Sequence, residues 1–243
     1  MEVLVRTSCR NVILLGLALA PLVGCSTDIK PATIIVPFTL GNQKSCQDLD
    51  IVSVRAELDA GEIYEETVDC DKGEIRFDGV LEGKYELTLF GQDKDGIDVM
   101  DSLAEDPIEL KLSEGQWLEV DSVVLGDAPA KLLVGWSFER GGCQDIAEFS
   151  VSAWKTGGSE MLLTAILQCD AEGDKDGYVR VPDPKRLLSG DQFGEVGVVA
   201  LGANGAEVGD VVTFAFDPPG RGRSVRVSVT DCRDGCKGTG KPD

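Results

Sequence analysis

The chain has 243 residues, with 43 acidic against 23 basic side chains, no histidine and a formal charge of -20 at pH 7. So acidic a surface repels nucleic acid and anionic head groups, which argues against a nucleic-acid partner. Without histidine every Ser-His or Cys-His nucleophilic scheme is excluded, and the commonest general base and metal ligand is gone. At the N-terminus, Arg6 and Arg10 precede an apolar run from Val12 to Val23, which ends in Leu22-Val23-Gly24-Cys25. That order of basic, apolar and small-residue segments is a secretory signal. The apolar run is about a dozen residues, where a bilayer core takes on the order of 20 helical ones, so it is too short to stay as a span.

Leu22-Val23-Gly24-Cys25 resembles the lipobox of bacterial lipoproteins. The resemblance implies removal of residues 1–24, acylation of Cys25 and a tether over residues 25–31 that holds the mature chain to membrane lipid. Ser26 follows the cysteine, where family members retained at the inner membrane carry Asp, so the implied location is the outer membrane. Export places the mature chain in an oxidising compartment, where an even number of cysteines reads as disulfides.

The mature chain repeats itself. Ile34-Ile35-Val36-Pro37-Phe38-Thr39-Leu40 is answered by Leu132-Leu133-Val134-Gly135-Trp136-Ser137-Phe138, and Cys46-Gln47-Asp48 by Cys143-Gln144-Asp145. Val52-Ser53-Val54-Arg55-Ala56 aligns without a gap with Phe149-Ser150-Val151-Ser152-Ala153, and Cys70 after Val68 matches Cys169 after Leu167. The symmetry predicts bridges Cys46 to Cys70 and Cys143 to Cys169. Each closes a loop of about 25 residues and contributes about 3 to 4 kcal/mol in the chain-entropy account. Two domains are expected, residues 32–127 and 130–231, divided near Gly126-Asp127-Ala128-Pro129-Ala130. In the tail 232–243, Cys232 and Cys236 are expected to close a tight loop ahead of a disordered end, with a free dithiol as the alternative.

Strand signals fill both repeats. Val52, Val54 and Ala56 share one parity, as do Tyr85, Leu87 and Leu89, for which Val196, Val198 and Ala200 are the expected counterparts. Asp95-Gly96 and Asn204-Gly205 mark hairpin turns. Closing strands are expected over residues 117–125 and 224–230. Five to seven short strands in about a hundred residues make a β-sandwich. The chain therefore reads as all-β, with two tandem immunoglobulin-like or transthyretin-like β-sandwiches, each holding one internal disulfide. The stretch Phe77 to Leu89, with Gly83-Lys84-Tyr85, resembles the core of carboxypeptidase-regulatory-like and transthyretin-like domains, which implies a structural or binding module. Gly194 is the expected answer to Gly83 in the second repeat, with Val196 in place of the tyrosine.

Candidates for chemistry are few. Glu172, Asp174, Asp176 and Asp183 fall near the spacing of a calcium loop, making Ca2+ the single cofactor considered, and Asp93, Asp95 and Asp98 form a poorer version. Against it stand a Glu at the first position, an Asp at the last and the absence of flanking helical patterns. Of the three tryptophans, Trp136 falls on the inward parity with Phe38, whereas Trp154 aligns with Glu57 on the outward parity and is the expected ligand contact. No glycine-rich phosphate loop, nucleophile elbow or metal motif occurs in the sequence. The expected function is a non-enzymatic, membrane-anchored structural or interaction module of the cell envelope, partnered by an envelope protein or glycan. An accessory glycan- or calcium-binding protein is the alternative, and a hydrolase with paired carboxylates the third reading.

Overall fold

A computed structural model describes residues 30–103, 108–138, 142–230 and 237–242. The signal segment, Cys25, Cys232 and Cys236 lie outside the described residues. The described chain is built of β-strands joined by turns and three short 3-10 segments. The first repeat contributes β1 (Ala32–Leu40), β2 (Ser53–Asp59), β3 (Ile63–Asp69), β4 (Glu74–Val80), β5 (Gly83–Gln92), β6 (Asp98–Asp101), β7 (Ile108–Leu112), β8 (Trp117–Glu119) and β9 (Val123–Asp127). The second contributes β10 (Lys131–Ser137), β11 (Glu148–Lys155), β12 (Met161–Gln168), β13 (Val179–Arg180), β14 (Phe193–Leu201), β15 (Glu207–Ala215), β16 (Ser224–Thr230) and β17 (Lys237–Pro242).

Alternation decides which faces are buried. In β1, Ile34, Val36, Phe38 and Leu40 point inward while Thr33, Ile35 and Pro37 stay partly exposed, the pattern of a strand with one wet face. Val54, Ala56, Tyr85, Leu87 and Leu89 join them in one core, and Leu132, Val134, Phe149, Val151, Val196 and Val198 form a second. The two cores are the two sandwiches. Val52 sits one residue ahead of β2 and is half exposed rather than buried, because its backbone already bonds Gln92 and Cys70 at the strand boundary. Both disulfides form as the repeat requires, Cys46 with Cys70 and Cys143 with Cys169.

The two sandwiches close differently. In the second, β13-β10-β16-β17 and β12-β11-β14-β15 are separate sheets. In the first, a single path β3-β2-β5-β6-β9-β1-β4 runs from one layer into the other, because β6 pairs with β9 at the corner. The expected closing strand over residues 117–125 splits into β8 and β9, which pair in parallel with successive parts of β1. In the second sandwich β16 runs parallel to β10 over its whole length. The expected disordered end also differs from the structure: Lys237–Pro242 form β17 beside β16.

Register corrects the match between the repeats. Ala56 faces Leu89 in β5, and its counterpart Ala153 faces Val196 in β14, so Val196 answers Leu89 and not Tyr85. Tyr85 stands at a corner, where its hydroxyl donates to the Leu81 carbonyl at 3.0 Å and its ring meets Tyr64 edge-on. Gly194 has another purpose than Gly83, since a Cβ there would meet Thr156 Oγ1 at 2.4 Å. The glycine lets the crossing backbone approach, and it opens no tyrosine corner.

The sandwiches are joined end to end. The chain enters β1 at one end of the first sandwich, and β9 leaves at the other, alongside the last residues of β1. At about 3.3 Å per residue β1 alone spans about 30 Å. Only Ala128, Pro129 and Ala130 separate β9 from β10, and both alanines are tied in: Ala128 N–H donates to Val99, the Ala128 carbonyl accepts from Gly222, and Ala130 N–H donates to Leu188. Three arginines of the second sandwich then grip the first. Arg223 donates to Asp93 at 2.9 Å, Arg186 to Asp101 at 2.8 Å and to the Asp127 carbonyl, and Arg221 to Asp127 at 2.9 Å and to the Leu49 carbonyl. Asp93 and Asp101 are 9% and 6% exposed, so these are the strong, charge-assisted kind of bond. The Leu49 carbonyl is offered by the loop that the Cys46–Cys70 bridge fixes.

Two measurements check this account. Replacing Cys46 and Cys70 together by Ala lowers unfolding free energy by about 3 to 4 kcal/mol in guanidinium titrations. Gly222 sits at φ +65° with room for a Cβ only 1.9 Å from the Asp98 carbonyl oxygen. Gly222→Ala combined with Arg223→Ala therefore splits the melting curve into two transitions, and small-angle scattering shows the joint loosened.

Candidate functional site

The repeat allows each surface to be read against its own copy. On the outer face of the first sandwich, Arg55 lies over the Phe90 ring at 4.7 Å and bonds Glu57, Glu65 at 3.0 Å and Asp98 at 3.1 Å. Gln92 adds a bond to Asp98 at 2.9 Å. That face is charged, with its charges paired inside the sheet.

The same face of the second sandwich is different in kind. Ser152 stands where Arg55 does, Gly197 where Phe90 does, and Trp154 where Glu57 does. The benzo edge of the Trp154 indole passes over Gly197, where a Cβ would lie 2.9 Å from it and 3.3 Å from Val211. Trp154 is half-buried, one side resting on the bare glycine backbone. On the same face stand Met161, Ile166 and Val211, at 59%, 47% and 50% exposed, and the hydroxyls of Ser152 and Thr164, 3.2 Å apart, while Glu195 is the cross-strand neighbour of Trp154. Exposed apolar groups with a few hydroxyls, set on a rigid sheet, have the composition of a contact surface.

The edge of that sheet repeats the contrast. β12 ends the sheet, with β11 on one side. Its sequence, Met-Leu-Leu-Thr-Ala-Ile-Leu-Gln, has no charge and no proline over eight residues. Its counterpart β3 carries Glu65, Glu66 and Asp69, the charges that keep one edge from pairing with another. An uncharged edge of this length can accept an added strand.

The carboxylates of the expected calcium loop serve local structure instead. Asp174 Oδ1 accepts from the backbone N–H groups of Asp176 and Tyr178, both at 2.9 Å. The Tyr178 N–H first, and Asp176 with it, hold the Asp174 carboxyl below its ordinary pKa. Asp183 accepts from Leu187 and Leu188 at 2.8 and 2.9 Å, and so shapes the turn that presents Arg186 to the first sandwich. Glu172 and Asp176 are exposed. Among the described residues no three potential ligands gather to hold a metal ion. In the first repeat, Asp93 Oδ1 accepts from Asp95 and Ile97 in the same way as Asp174, and the position a cation would take is filled by the Arg223 guanidinium.

The other tryptophans divide as their parity suggests. Trp136 stacks on Phe149 at 4.6 Å and donates its indole N–H to the Cys169 carbonyl, packing against the second core. Trp117 is 60% exposed beneath Arg76, whose guanidinium lies 5.1 Å from its ring. Two concavities among the described residues are open grooves of mixed sign. One of about 630 Å³ is lined by Asp59, Lys84, Glu86, Glu109 and Lys111, and one of about 540 Å³ at the joint by Asp48, Asp127, Arg186, Asp191 and Arg221. The sequence reading passed over the three clamp arginines. Two of them stand in a basic run, Arg221-Gly222-Arg223, in a chain with nearly twice as many acids as bases. The charge-free run of β12 was equally legible.

If Gly197 supports the indole, Gly197→Val lifts Trp154 off the sheet. Its fluorescence maximum then shifts to the red, while the far-ultraviolet circular dichroism keeps its β signature.

No protein-family model matches the chain, and no curated protein matches it either. Remote matches occur among solved structures. A leucine-rich repeat protein from Bacteroides thetaiotaomicron is 13% identical with a TM-score of 0.33 over 85% of this chain and 26% of that one. The Bacillus anthracis TIE protein is 12% identical with a TM-score of 0.28 over 83% of this chain and 34% of that one. A Bacteroides ovatus protein, described provisionally as a cell adhesion protein, is 8% identical with a TM-score of 0.32 over 88% of this chain and 96% of that one. The chain spans about a quarter and a third of the length of the first two. Agreement at this level carries no argument about what the chain does.

Proposed function

We propose that this chain is a non-enzymatic interaction module of the bacterial cell envelope, held to membrane lipid through acylated Cys25, in which the first sandwich is a spacer and the second a contact head. One observation carries the division of labour. The same sheet face appears twice, once tied together by the charged Arg55 network and once largely apolar around Trp154 and β12, with Glu195 as the charge beside the indole. The end-to-end joint supports the same division, because it sets the second sandwich beyond the far end of the first. Its arginine bonds restrain the two as one lever. The lipobox supports the anchor and, through Ser26, an outer-membrane location.

The test is photocrosslinking in living cells with a reactive side chain placed at Thr164 or at its first-repeat counterpart Thr67. A discrete adduct from position 164 that disappears in the Ile166→Lys background supports the contact head. No adduct at 164, or the same adduct from position 67, overturns it. Cys25→Ser should move the protein from the detergent phase to the aqueous phase in cloud-point partition.

A second reading, a glycan-binding accessory, is favoured by the half-exposed Trp154 indole, since a ring face of this kind stacks on sugars. Titrating purified envelope polysaccharide into the mature chain separates the two. Saturable binding that is lost in Trp154→Ala favours the glycan, and a crosslinked protein partner with no polysaccharide binding favours a protein.

A further inference from the structure

Three of the six exposed large apolar side chains described in the first sandwich stand at the end where the chain enters, and Val52, Leu103 and Val124 stand elsewhere. Ile63 and Trp117 are the two most exposed large hydrophobic residues among those described, at 63% and 60%, and Leu81 is 46% exposed. All three stand near the start of β1. Thr33 pairs with Trp117, Ala32 pairs with Val80 directly before Leu81, and Ile63 opens the hairpin after Asp59. Lys30 is fastened to the same place, its carbonyl accepting from Gly115 N–H at 2.8 Å and its Cβ lying 3.4 Å from where a Gly115 Cβ would be. The opposite end, by contrast, is covered by the second sandwich.

Chain length decides what this end meets. Four residues lie between Cys25 and Lys30, and even fully extended the five steps reach at most about 18 Å. A bilayer has an interfacial layer about 7 Å thick on each side of its hydrocarbon core, and tryptophan is enriched there because its ring is apolar and its N–H needs a polar partner. We infer that the entry end of the first sandwich rests in the interfacial layer of the membrane that carries the anchor, with the Trp117 indole and Leu81 immersed among the head groups. The inference rests on the lipid-anchored reading. One indole and one leucine bind a bilayer weakly, but a tether this short makes the contact intramolecular, with an effective concentration in the millimolar range. Acids outnumber bases at this end, with Lys30, Arg76, Lys84 and Lys111 among Asp59, Glu62, Asp78, Glu82, Glu86, Glu109 and Glu114. Immersion of the apolar groups, and not net attraction to anionic lipid, therefore drives the contact. It also orients the molecule, because the joint with the second sandwich lies at the far end of β1.

The test uses the full lipidated chain reconstituted into phosphatidylcholine vesicles with or without brominated acyl chains. Tryptophan emission is read in the natural protein and in Trp117→Phe, so that the difference isolates Trp117 from Trp136 and Trp154. The Trp117 component is expected to shift to the blue on reconstitution and to fall by about half in brominated vesicles. Leu81→Trp in the Trp117→Phe background should restore a quenched component. Mass spectrometry of the N-terminal peptide is run on the same sample. An acylated Cys25 with an unquenched Trp117 open to acrylamide overturns the resting contact and leaves the anchor standing. Protection from acrylamide without bromolipid quenching overturns it in favour of a protein cover. An unmodified Cys25 overturns both readings.

Discussion

The grip of Arg186, Arg221 and Arg223 on the far end of the first sandwich is the constraint on which the shape of the molecule depends. Two acidic halves of one chain repel each other, and three residues of backbone between them would otherwise be a hinge. Cations placed at the joint reverse the sign of that interaction where it matters, because Asp93 and Asp101 are buried and their arginine partners satisfy them. The geometry is prepared from both sides. Asp93 is held by the N–H groups of its own turn, the Cys46–Cys70 bridge fixes the loop that offers the Leu49 carbonyl, and Asp183 ties the turn that presents Arg186. Arg186 itself sits at φ 55°, a conformation that costs a side chain about 1 kcal/mol and persists here because its hydrogen bonds and that turn hold it.

A stiff joint gives duplication its use. Once the halves are fixed end to end, one can diverge for position and the other for contact without either losing its core. The cores diverged little: both rest on alternating apolar strands and one bridge in the same place. The outer faces diverged most, since a side chain there answers to solvent and partners and not to packing. With Ser152, Trp154 and Gly197 in place of Arg55, Glu57 and Phe90, the same backbone carries a largely apolar face instead of a charged, internally paired one. A tether at one end, a spacer of about 30 Å and a head with an uncharged edge strand then follow from one another.

Two acidic turns show what this spacing builds locally. Asp93-Lys94-Asp95-Gly96 and Asp174-Lys175-Asp176-Gly177 have the spacing of cation ligands, and both fold into the same turn, with the first carboxylate consumed by two backbone N–H groups. The remaining oxygen of Asp93 is free to take a guanidinium, and the partner that supplies it lies 130 residues away in sequence.

The sequence by itself determined the strands that carry the repeat, the two cores, the two disulfides and the outward face of Trp154. All of these follow from local alternation and from a repeat that places equal residues at equal steps. It marked Asp95-Gly96 and Asn204-Gly205 as turns, because only glycine takes the positive φ found at Gly96 and Gly205 without strain. Tertiary structure alone decided the register that sets Val196 against Ala153, the corner pairing of β6 with β9, the strand at the C-terminal end and the arginine joint. Each of these depends on which backbone or charge arrives from a distant part of the chain. A one-residue change of register moves every side chain to the other face while leaving composition and alternation unchanged.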